Sequence, residues 1–388
     1  MGAPALSFEF ATATRIIFGE GRLREAGPIA AAMGSRALVV EGTSDRAEPL
    51  VDLLRERGLS VTRVRVDGEP TTTLVERGME QARREQSDVV VALGGGSVID
   101  TGKAIAALLT NPGSLHDYLE VVGKAQPLTH RSAPFIAIPT TAGTGAEVTR
   151  NAVLMVEDEH MKVSVRSPHM LPAIALIDPE LTYTLPPDVT ASTGLDALTQ
   201  CIEPFVTPNA NPLTDAVARE GMQRAAGALR RAFRDGGDAQ ARRDMAVASL
   251  CGGLALANAK LGAVHGFASP LGGMFPIPHG IACARLLPPI VEINVRALRA
   301  RGATSPALAR YDQVARIVTR RPDAQAEDGV SWLRELADDL AVPGLAAYGV
   351  RADDIPPIVA AARRASSMQG NPVVLTDEEL GEALRAAL

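Results

Sequence analysis

Between residues 36 and 179 the apolar positions fall into short β-branched runs, at 37–40, 61–66, 89–93, 135–138 and 174–177. Segments with helical spacing, 47–57 and 74–85, lie between them. Runs that are apolar on both faces, alternating with amphipathic helices, predict a mostly parallel sheet covered by helices. Beyond about Leu185 the strand runs stop, and Ala-rich stretches at helix spacing follow over 189–205, 213–233, 239–267, 329–340 and 355–366. The final segment opens with Thr376 and Glu379, spaced as a capping box, and sets Leu380, Leu384 and Leu388 along one face. The pattern therefore predicts an α/β N-terminal domain over residues 1–185 and an all-α C-terminal domain over 186–388.

A length of 388 residues agrees with two domains. With 8 Phe, 4 Tyr and 1 Trp, the core must be built from Ala, Val, Leu and Ile, while 35 Gly and 27 Pro imply many tight loops. A net charge of −6 leaves no basic field for nucleic acid or an anionic membrane. No apolar run approaches the roughly 20 residues that cross a bilayer. The N-terminus lacks the cationic and apolar regions of a secretory signal, and Leu6 stands where a myristoylation motif needs Ser or Thr. Three cysteines (Cys201, Cys251 and Cys283), without a CxxC pair, read as reduced thiols. A cytoplasmic protein is expected.

Two loops carry the first candidate chemistry. The strand over 88–93 runs into Gly94-Gly95-Gly96, and a helix is expected from Ser97, with Asp100 completing a capping box. Glycines let the backbone approach a ligand closely, and a helix start offers free N–H groups to a pyrophosphate. A plain strand-to-helix turn has the same glycines, so this loop alone decides nothing. The strand over 135–138 runs into a second such loop, in which Thr140, Thr141 and Thr144 supply hydroxyls beside Gly143 and Gly145. Two polar, glycine-rich loops at the C-terminal ends of parallel strands mark a nucleotide site.

The helical half offers Asp196 and Gln200, four residues apart on one helix face, with His265 and His279 downstream. His265 is expected near the end of the 239–267 helix, and a new element is expected to begin at Pro278-His279-Gly280. Such a nitrogen and oxygen set suits Zn²⁺ or Fe²⁺ and leaves a position open for substrate. Spacing alone does not select these two histidines over ordinary buried ones. His116, His130, His160 and His169 have no partner at ligand spacing and read as structural or solvated.

In its ordered motifs (IIFGEG, GGGSVIDTGK, PTTAGTGAEVT and the closing Asn371-Pro372) the chain resembles the iron-containing (group III) alcohol dehydrogenase family, which shares its fold with glycerol dehydrogenase and dehydroquinate synthase. The resemblance implies a Rossmann-like N-terminal domain, a helical C-terminal domain and an active site in the cleft between them. It implies NAD(P)-dependent interconversion of an alcohol and an aldehyde or ketone, in a homodimer. Carried over by position, Gly95, Gly96 and Ser97 would contact the cofactor pyrophosphate, with Asp100, Thr140, Thr141, Thr144 and Lys162 completing that site. Asp196, His265 and His279 match three of four metal ligands and would carry the catalysis.

Three departures follow from the same comparison. Gln200 stands where the family usually has its fourth ligand, a histidine, and an amide oxygen binds Fe²⁺ or Zn²⁺ more weakly than imidazole. Ser269 replaces a second histidine, four residues after His265, that often relays protons; a hydroxyl cannot serve as that base unaided. Gly42 stands where NAD-preferring members place an Asp that repels a 2′-phosphate; with Thr43, Ser44 and Arg46 as donors this leans the expectation to NADP(H), against a counter-pull from Glu41. The alternatives are a metal-independent reductase like maleylacetate reductase, in which His265 or His279 donates the proton, and a non-catalytic nucleotide-binding relative.

Overall fold

The structure is a computed structural model, and it describes residues 6–159, 161–301 and 304–388. His160, expected to be structural or solvated, lies outside the described residues. Among the described residues there are eight strands: β1 (Arg15–Phe18), β2 (Arg36–Glu41), β3 (Ser60–Arg65), β4 (Val89–Gly94), β5 (Phe135–Pro139), β6 (Asn151–Val156), β7 (Met161–Arg166) and β8 (Ile174–Ile177). Six of them form one sheet in the order β1-β8-β5-β4-β2-β3, and every neighbouring pair is parallel. From β2 the chain steps outward to β3 and then returns to β4 on the other side of β2. That reversal opens a crevice at the C-terminal ends of β2 and β4, where the Gly42 and Gly94–Ser97 loops emerge.

Alternation along β4 explains the layering. Val89, Val91 and Leu93 pack with α1 (Ala26–Ala31) and α2 (Glu48–Glu56), through Ala26, Ala30, Leu50 and Leu54. Val90 and Ala92 face the opposite side, against α3 (Thr72–Arg84) and α4 (Gly96–Thr110), through Val75, Met79 and Ile105. After the short α5 (Leu115–Tyr118), β6 and β7 pair as an antiparallel hairpin. The run pattern did not predict that hairpin, because Lys162, Ser164 and Arg166 interrupt β7 with polar groups.

The C-terminal half is helical: α6 (Pro187–Val206), α7 (Pro212–Arg234), α8 (Ala239–Asn258), α9 (Ala263–Met274), α10 (His279–Arg301), α11 (Pro306–Thr319), α12 (Ala326–Asp339), α13 (Ile355–Arg364) and α14 (Asp377–Ala387). Thr376 and Glu379 form the expected capping box on α14. Neither α10 nor α11 was anticipated as a complete helix. One expectation fails: the continuous helix over 239–267 is two helices, α8 and α9, that meet at 97°. The break is stabilised from outside the segment, because Ala263 N–H donates to Asn371 Oδ1 and Val264 N–H donates to Glu203 Oε1. Distant acceptors thus satisfy a helix start that local periodicity hides. Among the described residues no single helix is long and apolar enough to cross a membrane.

The connection from β8 to α6 is tied down by Arg242, a buried side chain of α8. Its guanidinium donates to Leu185 O, to Gly236 O and to Thr190 Oγ1.

Candidate active site

Gly94 ends β4, and Gly95 caps α4 with its backbone extended. The expected Ser97–Asp100 capping box is absent, because α4 begins at Gly96 and no side chain caps it. Its first-turn N–H groups therefore stay free for a ligand, and Gly95, Gly96 and Ser97 are half-buried around them. Asp100 turns inward instead: its carboxylate accepts from Val153 N–H at 3.0 Å and from Lys103 Nζ at 3.4 Å. Burial raises its pKa, with the Lys103 ammonium pulling the other way.

The second loop lies directly against the first. A Cβ on Gly95 would sit 3.4 Å from Thr141 Cγ2, and one on Gly96 would sit 2.8 Å from Thr144 Cγ2. Thr141 and Thr144 are half-buried, whereas Thr140 is buried at the end of β5. The loop is anchored by Lys103, a fully buried lysine that sequence reasoning passed over. Its ammonium donates to Ala146 O at 2.8 Å, Thr149 Oγ1 at 2.9 Å and Asn151 O at 2.7 Å. A lysine three residues after Asp100, at the head of the apolar run that ends α4, was the available signal. Gly42, Thr43 and Ser44 follow β2 with little burial, and a Cβ on Gly42 would meet nothing within 4 Å. One N–H of the Arg46 guanidinium donates to Thr184 O at 3.0 Å. Glu41 is buried and bound by Arg63 through two hydrogen bonds of 2.8 Å. Lys162 holds Glu69 at 2.8 Å and lies against Gly272 of α9.

In the helical domain Asp196, His265 and His279 converge. Asp196 Oδ1 lies 3.4 Å from His265 Nε2 and 3.8 Å from His279 Nε2. With Cys283 Sγ, their donor atoms all fall within 4.8 Å of one another. His265 lies in the first turn of α9 and His279 opens α10. The first placement corrects the expected helix-end position and the second matches expectation. Asp196 Oδ1 and Gln200 Oε1 are buried without a hydrogen-bond partner. Desolvation opposes the charge on Asp196, but His265 and His279 beside it hold its carboxyl below the usual range. A buried acceptor oxygen without a partner, 3.4 and 3.8 Å from two imidazole nitrogens, is what a cation site requires. The side chain of His279 is 36% exposed, so the cluster is open on one side.

Glu203 was also missed. Its Oε2 accepts from His265 Nδ1 at 2.6 Å, which leaves the Nε2 lone pair pointing into the cluster. No sequence signal links the two residues, 62 positions apart. Of the other histidines, His116 and His130 are exposed and His169 is half-buried, all outside the cluster. Between the two histidines Phe267 and Ile277 belong to the core, whereas Met274 and Phe275 keep appreciable exposure.

The two halves of the site touch. A Cβ on Gly143 would lie 2.7 Å from Thr193, one turn before Asp196 on α6. Gly145 and Gly253 of α8 pack backbone to backbone, and Gly252 rests on Gln200. The second glycine-rich loop therefore lies against α6 and α8, the helices that carry Asp196 and Gln200 and the glycine beneath Gln200.

A family model described as iron-containing alcohol dehydrogenase matches residues 13–179, and one described as Fe-containing alcohol dehydrogenase family, C-terminal, matches residues 190–388. Choline dehydrogenase of Bacillus subtilis (strain 168) is 37% identical to this chain, over 95% of it and 92% of the relative. The 1,3-propanediol dehydrogenase of Klebsiella pneumoniae is 36% identical, over 91% and 92%. The crystal structure of a 1,3-propanediol oxidoreductase superposes with a TM-score of 0.91 at 32% identity, covering 99% of this chain and 100% of that one.

Proposed function

The chain belongs to the iron-containing alcohol dehydrogenase family, and from that premise we propose that it reversibly reduces a small aldehyde or ketone with NADPH, assisted by a divalent cation, Fe²⁺ or Zn²⁺, held by Asp196, His265 and His279. It is an NAD(P)-dependent dehydrogenase acting on CH–OH groups, as its relatives are. The single observation that carries the metal assignment is the buried, unpartnered Asp196 Oδ1 beside two imidazoles. A cation held there would supply Lewis acidity to the substrate oxygen, and a bound nicotinamide would supply the hydride chemistry.

This chain's residues do the remaining work. The free N–H groups at Gly96 and Ser97 and the Thr141 and Thr144 hydroxyls bind the pyrophosphate, in the domain of residues 1–185. Asp100, Thr140 and Lys162 support that side of the cleft. Asp196, Gln200, His265 and His279 belong to the domain of residues 186–388. Water on the open side of His279 serves as proton source, since Ser269 is no base by itself. For the adenosine end, the open space at Gly42 and the hydroxyls of Thr43 and Ser44 support NADPH. Arg63 and Arg65 neutralise Glu41, which removes the carboxylate that would oppose a 2′-phosphate. The family resemblance suggests a homodimer, and the three unpaired cysteines favour a cytoplasmic location.

The test is metal content measured alongside NADPH oxidation with a panel of short aldehydes. One bound metal per site is expected, with turnover lost on chelation and restored by metal. Full turnover without metal would sink the metal-assisted reading and favour direct proton donation by His265 or His279.

A further inference from the structure

Cys283 lies one turn after His279 on α10, with its sulfur inside the cluster. The Sγ is 3.6 Å from His279 Nε2 and 3.8 Å from His265 Nε2. The side chain is fully buried. The other two thiols are elsewhere: Cys201 and Cys251 pack against Gly221 of α7, and Cys201 Sγ contacts Ala248 O. Only Cys283 is placed to meet a cation bound by Asp196, His265 and His279.

The spacing has the dimensions of a coordination shell. A tetrahedral cation with nitrogen and oxygen donors at about 2.1 Å requires donor–donor separations of about 3.4 Å. Where one donor is a sulfur at about 2.3 Å, the separation from nitrogen rises to about 3.6 Å. The oxygen–nitrogen distances are 3.4 and 3.8 Å and the sulfur–nitrogen distances are 3.6 and 3.8 Å. A thiol hydrogen bond explains the geometry less well, since one S–H can serve only one imidazole and both Nε2 atoms are near van der Waals distance from the sulfur.

We propose that Cys283 is a direct ligand of the catalytic cation, so that a thiolate completes the set that Gln200 leaves weak. The proposal rests on the metal-assisted reading above. As the metal binds, the thiol proton passes to water and the sulfur donates an electron pair to the cation. A soft donor in an otherwise nitrogen and oxygen shell shifts preference toward Zn²⁺ over Fe²⁺.

Cobalt substitution tests this without turnover. Wild-type protein loaded with one Co²⁺ is expected to show an intense near-ultraviolet thiolate-to-cobalt charge-transfer band. Cys283→Ser should bind Co²⁺ but lose that band, and its Zn²⁺ affinity, measured by chelator competition, should fall roughly tenfold or more. Cys201→Ser should keep the band, which guards against assignment to another thiol. Stoichiometric Co²⁺ in wild-type protein with only weak d–d absorption would overturn the thiolate ligand while leaving the metal reading intact. Failure to bind Co²⁺, Zn²⁺ or Fe²⁺ at all would overturn both.

Discussion

The contact between Gly145 and Gly253 makes the two-domain cleft open to a single-methyl test. Gly145 has φ +59° in the loop that carries Thr141 and Thr144, and Gly253 lies in α8, next to the glycine that supports Gln200. In Gly253→Ala the new Cβ would sit 2.5 Å from Gly145 O, 2.8 Å from Gly145 Cα and 2.8 Å from Val148 Cγ2. Relieving these contacts to ordinary separation requires a shift of roughly 0.6–0.9 Å, and two of the three obstacles are backbone. The loop must therefore move off α8, carrying its hydroxyls away from the cluster on α6. A displacement near 1 Å between reacting groups costs roughly 100-fold in rate, whereas overpacking costs roughly 1–3 kcal/mol of stability. The expected result is a kcat lowered by roughly two orders of magnitude in a protein that is folded and retains its metal. Steady-state NADPH oxidation, metal analysis and thermal unfolding read these out together. Gly381→Ala on α14, where the added Cβ would be 3.4 Å from Ile355 Cγ2, serves as the benign control. Wild-type kcat in Gly253→Ala would refute the view that this contact sets the cleft.

Three further outcomes are expected. Gly42→Asp fits without steric cost, since nothing lies within 4 Å of its Cβ; it should raise KM for NADPH roughly tenfold or more and leave KM for NADH unchanged or lower, and an unchanged cofactor ratio would remove the basis for NADPH. Glu203→Gln no longer forces the proton onto His265 Nδ1, so metal affinity by chelator competition should fall roughly 10–100-fold, with activity rescued by excess metal. Burial raises the Glu147 pKa from 4.5 to about 7. The folded protein therefore keeps a proton that the unfolded chain has lost, and stability falls as pH rises from about 4.5 to about 7, by roughly 3 kcal/mol at most. Glu147→Gln should flatten that decline in denaturant unfolding measured at pH 5 and pH 8, and identical pH slopes would contradict it.

The sheet was legible because four of its six strands, β2, β4, β5 and β8, are apolar on both faces, and the edge strand β3 still showed through Val61 and Val64. The sixth, β1, has Arg15 at its start and pairs only with β8, so its short Ile16–Phe18 segment gave little signal. The break between α8 and α9 was invisible, since apolar spacing runs on through Gly262 while the stabilising acceptors, Glu203 and Asn371, come from α6 and from the segment before α14. The Ser97 capping reading failed for a local reason: with helix starting at Gly96, Ser97 is already in the first turn, and Asp100 meets Lys103 instead. Asp196, His265 and His279 were selected by family resemblance, not by spacing. Cys283 carried a signal that went unread, its i+4 spacing from His279, because an isolated thiol ordinarily reads as a small buried hydrophobe.

The two buried carboxylates of the helical domain show how hydrogen bonding divides labour that composition leaves equal. Asp196 and Glu203 lie on the same helix and both approach His265. Glu203 is committed: one oxygen accepts from Val264 N–H at the start of α9, and the other accepts from His265 Nδ1. That start carries a partial positive charge and unpaired N–H groups, so a buried anion there is stabilised without a metal. Asp196 has no such helix start, and its Oδ1 is left without a hydrogen bond among imidazoles. One carboxylate therefore fixes the tautomer and position of His265, and the other remains available to a cation. Exchanging these roles would require α9 to begin elsewhere, so the 97° break between α8 and α9 is itself part of the candidate metal site.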